Sequence, residues 1–161
     1  MADSKFVYVT YIRTTPESLW EALTTPEFTR RYCNGAWQES TWEPGAPWKI
    51  VFPDGSVGDT GEVIEVEKPW RIVLRWRNEF MPEMKAEGYS RCTYEIEAIE
   101  TYVKLTITHE MDKPNSKFIG AVTDGWPKIL SSLKSLLETG EPLSAIASPK
   151  DTSTGTCQSR L

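Results

Sequence analysis

Two periodicities divide the chain. Over most of its middle, apolar side chains recur at every second position, the period of a strand with one buried face. Residues 70–77 show it best: Trp70, Ile72, Leu74 and Trp76 alternate with Arg71, Val73, Arg75 and Arg77. Further strands are expected over 6–14, 37–42, 48–52, 59–67, 89–98 and 102–109. In the last of these, Val103, Leu105, Ile107 and His109 share a face. Turn chemistry punctuates the strands at Glu43-Pro44-Gly45, Pro53-Asp54-Gly55 and Lys68-Pro69, where Pro presets φ and Gly allows a positive one. Residues 77–88 form a longer connection that holds Phe80, Met81 and Met84.

Elsewhere the period is helical. Thr15-Pro16-Glu17 and Thr25-Pro26-Glu27 are the same tripeptide ten residues apart, and each reads as a helix start. Thr is the cap, Pro takes the first helical position, and Glu sits by the positive end of the dipole. Short helices are expected over 16–24 and 26–32, the first with Leu19, Trp20 and Leu23 on its apolar face, the second with Phe28 and Tyr32. Asn115 or Ser116 should cap a long helix reaching about Glu138, because Phe118, Val122, Trp126, Ile129, Leu133 and Leu136 form one stripe. Pro127 should kink that helix or delay its start to near Trp126, and Gly140 should end it. From 142 to 161 no periodicity remains, so a disordered tail is expected after a single domain over 1–141.

One strand, two short helices, six strands and a long helix define an α+β chain with an antiparallel sheet of six to seven strands. The last helix must bury its stripe against that sheet. With 161 residues, the chain suits one domain with a sizeable core. A net charge of -5 removes the electrostatic footprint of a nucleic-acid binder. Neither a secretory leader nor an apolar run of bilayer-spanning length is present, and Cys33, Cys92 and Cys157 form no C-x-x-C. These features suggest a cytoplasmic protein without membrane insertion.

The chain resembles the homologues of the heat-shock-protein-90 ATPase activator, within the START-like superfamily that includes lipid-transfer and polyketide-cyclase domains. The resemblance is carried by Thr14-Thr15-Pro16-Glu17-Ser18-Leu19-Trp20-Glu21-Ala22-Leu23-Thr24 with Thr25-Pro26-Glu27, and by Pro44-Gly45-Ala46 and Pro53-Asp54-Gly55. It continues in Gly61-Glu62-Val63-Ile64-Glu65-Val66 with Pro69 and Arg71-Ile72-Val73, then in Leu105-Thr106-Ile107-Thr108-His109 and Gly125-Trp126. It covers residues 5 to 140; Tyr32 stands where Trp is common, and Ala46 replaces a second Gly. The resemblance implies a helix-grip fold, a curved sheet wrapped around the C-terminal helix with an apolar cavity beneath it. The eukaryotic activators carry an additional domain with no counterpart in these residues, so a full co-chaperone role is not expected.

Little overt chemistry is written in the sequence. His109 is the only imidazole, and it could act as a base or hydrogen-bond a ligand, or be a satisfied core histidine. Cys92, without an indicated base, reads as a small buried hydrophobe. Glu62, Glu65 and Glu67 should be split between faces by strand alternation, and Arg71, Arg75 and Arg77 should pair with neighbouring glutamates on a solvated face. No phosphate loop occurs, and no cofactor, metal or catalytic set is assigned.

Seven Trp residues are many for this length. Trp48, Trp70, Trp76 and Trp126 are expected to turn inward, either lining a pocket or filling it. The expected cavity residues are Trp48, Ile50, Trp76, Tyr94, Ile107, His109, Val122, Trp126 and Ile129, with Phe80, Met81 and Met84 as a portal loop. The first functional reading is a module, monomeric or homodimeric, that binds a small apolar or aromatic molecule. A protein-interaction module related to the chaperone activator is the second, and a cyclase- or hydrolase-like enzyme using His109 with Tyr94 or a cavity carboxylate is the third.

Overall fold

The computed structural model describes residues 3–143. The expected tail and Cys157 lie outside the described residues. In chain order the elements are β1 Ser4–Ile12, α1 Pro16–Thr24, α2 Pro26–Tyr32, β2 Trp37–Glu39, β3 Pro47–Val51, β4 Val57–Glu67, β5 Arg71–Asn78, α3 Pro82–Lys85, β6 Ser90–Ile99, β7 Tyr102–Met111 and α4 Lys117–Thr139. Strands β2 to β7 form a meander, and β1 adds beside β7, giving the order β1-β7-β6-β5-β4-β3-β2 with antiparallel neighbours throughout. Helices α1 and α2 carry the chain from one edge of the sheet to the other. The fold class is the α+β helix grip anticipated above.

The two Thr-Pro-Glu starts give helices at the expected bounds but use their threonines differently. Thr15 Oγ1 accepts from Ser18 N at 3.1 Å, a true side-chain cap. Thr25 Oγ1 instead donates back to Glu21 O at 2.9 Å, and α2 has no side-chain cap. Tyr32 closes the pair by donating its hydroxyl to Ala22 O at 2.9 Å.

α4 starts at the Ser116 cap, whose hydroxyl accepts from Ile119 N at 3.0 Å, and stops at Gly140, where φ is 87°. Contrary to the expected delayed start, the helix runs continuously through Pro127. The buried stripe from Phe118 to Leu136 holds it to the sheet on both sides of the proline. Each fully buried side chain of that stripe contributes about 1.5–3 kcal/mol, enough to outweigh one missing backbone bond. The C-terminal half of α4 also closes the β1 edge: Lys134 Nζ donates to Tyr11 O at 2.5 Å, and Glu138 Oε2 accepts from Arg13 N at 2.8 Å.

Two sequence expectations about the sheet need correction. Glu62, Glu65 and Glu67 share one face, because a bulge between Val63 and Glu65 inserts an extra residue and resets the alternation. They stand opposite Arg75, Val73 and Arg71, and the arginines pair with them or with neighbours: Arg71 with Glu65 at 2.9 Å and Glu95 at 3.0 Å, Arg75 with Glu62 at 3.6 Å. The second correction is Trp70, which is 45% exposed. β5 begins only at Arg71, so Trp70 belongs to the preceding turn and lies in a shallow outer hollow with Arg71, Glu95 and Lys104.

Trp37 and Trp42 also resolve. Strand β2 ends at Glu39, so the two rings are not on one strand. Arg30 lies 4.3 Å over the Trp37 ring, and Trp42 Nε1 donates to Thr24 O at 2.9 Å.

Candidate functional site

The inner face of the sheet collects side chains by parity. β3 supplies Trp48 and Ile50, β5 supplies Trp76, β6 supplies Cys92 and Tyr94, and β7 supplies Ile107 and His109. From the other side α4 contributes Phe118, Val122, Trp126 and Ile129. The apolar residues form one buried cluster, and the His109 ring packs into it against Trp76, Phe118 and Trp126.

Its rings are in contact. Trp48 and Trp76 have centroids 4.5 Å apart, Trp76 and Trp126 6.0 Å, and Tyr94 and Trp126 5.8 Å. Gly61 lies between Trp48 and Trp76 in the ladder, where the absence of a side chain lets β4 come close to the Arg75 carbonyl on β5.

His109 sits at the centre with no exposed surface. Trp126 Nε1 can only donate, and it reaches His109 Nδ1 at 3.1 Å, so that nitrogen is bare. The ring proton is therefore on Nε2, which donates to Ser90 Oγ at 2.9 Å, and Ser90 Oγ donates onward to Trp76 O at 3.0 Å. Both ring nitrogens are taken. Burial lowers the pKa to about 3, and a second proton on Nδ1 would face the Trp126 N–H. A base must offer a free lone pair near neutral pH, and His109 offers none. Glu110 and Asp112, its sequence neighbours, are not its partners: the ring is held by Trp126 and Ser90.

Cys92 is fully buried and burial pushes its thiol pKa up, the opposite of what a nucleophile needs. Among the described residues, no three His, Cys, Asp or Glu side chains are grouped to hold a metal ion, and no helix is long and apolar enough to cross a membrane.

The polar chemistry lies at the other end of the interior, in residues the sequence reading passed over. Asp59 on β4 faces Asn78 on β5 and Ile50 on β3 across the ladders. Both polar residues are buried. Asp59 Oδ2 accepts from Trp76 Nε1 at 2.8 Å, and Asn78 Oδ1 accepts from Met81 N at 2.9 Å. Asp59 Oδ1 and Asn78 Nδ2 have no hydrogen-bond partner. Burial holds the Asp59 pKa well above the usual carboxylate range, opposed in part by the Trp76 hydrogen bond. An acidic residue just after Gly58 reads as a solvated strand end. Only its parity with Gly61 and Val63 signals an inward side chain.

The 79–88 connection lies over this end. Its middle folds into α3, and Phe80 and Met84 are half-buried against the cluster, Phe80 edge-on to Phe52 at 5.5 Å. Met81 is half-buried and holds Asn78 through its backbone. Glu87 ties the connection to the start of α4, accepting from Lys117 N at 2.8 Å, Phe118 N at 3.2 Å and Ser116 Oγ at 2.7 Å. Lys117 also pairs with Glu83 at 2.7 Å. A carboxylate at a helix N-terminus answers both the orphan N–H groups and the dipole.

The fold recurs in solved structures. A Mesorhizobium loti protein, MLL2253, is 24% identical, with a TM-score of 0.70 over 83% of this chain and 96% of that one. An HSP90 activator from Plasmodium falciparum is 23% identical, with a TM-score of 0.69 over 83% and 96%. The Aha1 dimer from Colwellia psychrerythraea is 18% identical, with a TM-score of 0.68 over 84% and 97%. No curated protein matches the chain. A family model, Activator of Hsp90 ATPase homolog 1-like protein, matches residues 13–138, which run from the end of β1 to the last turn of α4. With that span covering strands β2 to β7, nearly all of the grip helix and the aromatic interior between them, the chain belongs to the family of Activator of Hsp90 ATPase homolog 1-like proteins.

Proposed function

We propose that this domain binds a small apolar or aromatic molecule between α4 and the sheet, at the end covered by the 79–88 connection. The observation that carries this reading is the buried Asp59–Asn78 pair, which leaves two polar atoms without partners beside an aromatic wall. Native interiors rarely tolerate such atoms, and those that persist tend to mark a site completed by something else. Phe80 and Met84 support the reading. They reach the cluster from a short connection and stay half-exposed, so a ligand's rings can take the place of their contacts. Affinity would come from apolar area removed from water, at about 25 cal/mol per Å².

The test is titration of the protein with a graded set of apolar and aromatic compounds. Tryptophan emission and melting temperature are both read. A ligand present at about a hundred times its Kd adds about 2.7 kcal/mol of stability, a readily measured rise in Tm. If no compound in the set moves either signal, the reading is wrong.

A further inference from the structure

Asp59 and Asn78 are cross-strand neighbours on the inner face, yet their free atoms do not bond each other. That is informative about which atoms carry protons. The Asn78 amide cannot be turned round, because its oxygen must accept from Met81 N, so the unpartnered atom is the NH₂ donor. An ionised Asp59 would present an acceptor to that donor, and the two would close on each other. A protonated Asp59 instead presents a second donor. Trp76 Nε1 occupies Oδ2, which leaves the acid proton on Oδ1. The hydroxyl oxygen of a neutral carboxyl is a far poorer acceptor than a carboxylate oxygen, so the amide N–H is not drawn onto it. Burial, which raises the Asp59 pKa well above the usual carboxylate range, favours this assignment.

We propose that Asp59 Oδ1–H and Asn78 Nδ2–H together hold one acceptor oxygen of the ligand, and that the ligand class is a flat apolar molecule bearing a ketone- or quinone-type carbonyl. The inference rests on the interior-ligand reading above and adds the polar group that orients the molecule. The indole of Trp76, fixed by its own bond to Asp59, forms the wall against which such a ring lies. Hydrocarbons of the same shape keep the apolar contacts but leave both donors unanswered, and a site built on buried donors discriminates against such analogues.

The experiment compares 1-indanone with indane, which share a skeleton and differ in the carbonyl. Both are titrated into the full chain by tryptophan emission. The ketone is expected to bind at least about tenfold more tightly, the difference made by hydrogen bonds to buried donors. Asp59→Asn should keep the preference, since an amide can accept from Trp76 and still donate to the carbonyl. Asp59→Leu and Asn78→Leu should lose it, the ketone then binding no more tightly than indane to the same variant. Melting temperatures of the variants establish that each is folded, and Asp59→Asn, which keeps the shape and the Trp76 bond, is the decisive one. Equal affinity for ketone and hydrocarbon would overturn the donor assignment and leave the interior-ligand reading standing. Binding of neither would remove both. Loss of the preference in Asp59→Asn would mean that a donor at this position does not hold the carbonyl, which also overturns the proposal. So would a complex in which an ordered water bridges Asp59 and Asn78 and the ketone lies elsewhere.

Discussion

At Gly61 the missing side chain lets two strands approach closely. A Cβ built there would lie 1.7 Å from the Arg75 carbonyl oxygen, a backbone atom that cannot swing away. Gly61→Ala is therefore expected to cost about 3 kcal/mol or more, read as a lower Tm, because the β4–β5 ladder must shift. The sequence marked Gly61 only as part of a family pattern. Its role depends on a neighbour in another strand, which no local pattern contains. Inward placement of Trp48, Trp76 and Trp126 was legible from strand parity and helix spacing, since each lies inside a regular run. Trp70 was not, because one residue decides whether a position belongs to a strand or to the turn before it. Asp59 shows the reverse failure. Polarity argued for solvent, and only the register with Asn78 and Ile50 places it inside.

The elements were more legible than their junctions. Caps and apolar stripes gave α1, α2 and α4 nearly to the residue, because a helix start is written in three or four consecutive positions. The bulge in β4 was invisible: an inserted residue leaves no mark in the alternation except its consequence for the three glutamates. The link between the 79–88 connection and α4 was also hidden, since Glu87 and Lys117 are far apart in sequence. It has a measurable strength. Glu87→Ala removes the acceptor for two backbone N–H groups and the Ser116 hydroxyl. A loss of about 1 kcal/mol is expected, the usual value of a helix cap. Hydrogen exchange in 79–88 should accelerate more than in the sheet, because α3 has no buried residue of its own to hold it. Uniform acceleration across the domain would show that Glu87 supports the whole fold and does not latch this connection.

Taken whole, the molecule should be sensitive to acid earlier than its carboxylates alone would make it. His109, the only histidine, has a pKa of about 3 when folded against 6.5 as a model group. Above pH 6.5 the folded and unfolded chains both hold it neutral. As pH falls below that, the unfolded chain gains a proton that the folded one refuses, so stability declines toward about 3. At about pH 5 the loss relative to about pH 7 is about 2 kcal/mol. Glu79 adds a second stage. Burial would raise its pKa, but hydrogen bonds from Arg77, Thr60 and Lys85 prevail and hold it at about 2, so its contribution is present above 4.5 and fades below. Asp59 works the other way, since its raised pKa favours the folded form at low pH. Denaturation midpoints of His109→Gln should therefore lose the decline between pH 6.5 and 4.5 while keeping the steeper fall beneath it. A variant that retains the full upper decline would place the proton uptake elsewhere.

The sheet order carries a consequence for how the chain is made. β1 is synthesised before the rest of the domain, yet its ladder partners, Val103 to Met111, and the helix residues that close its edge, Lys134 and Glu138, come near the end of the described chain. On a ribosome β1 must wait, with Phe6, Tyr8 and Ile12 still uncovered, while the β2–β7 meander assembles from near neighbours. The domain's leading strand is thus the last to find its place, and the interval of vulnerability is set by the time needed to translate about a hundred residues at about 5–20 residues per second.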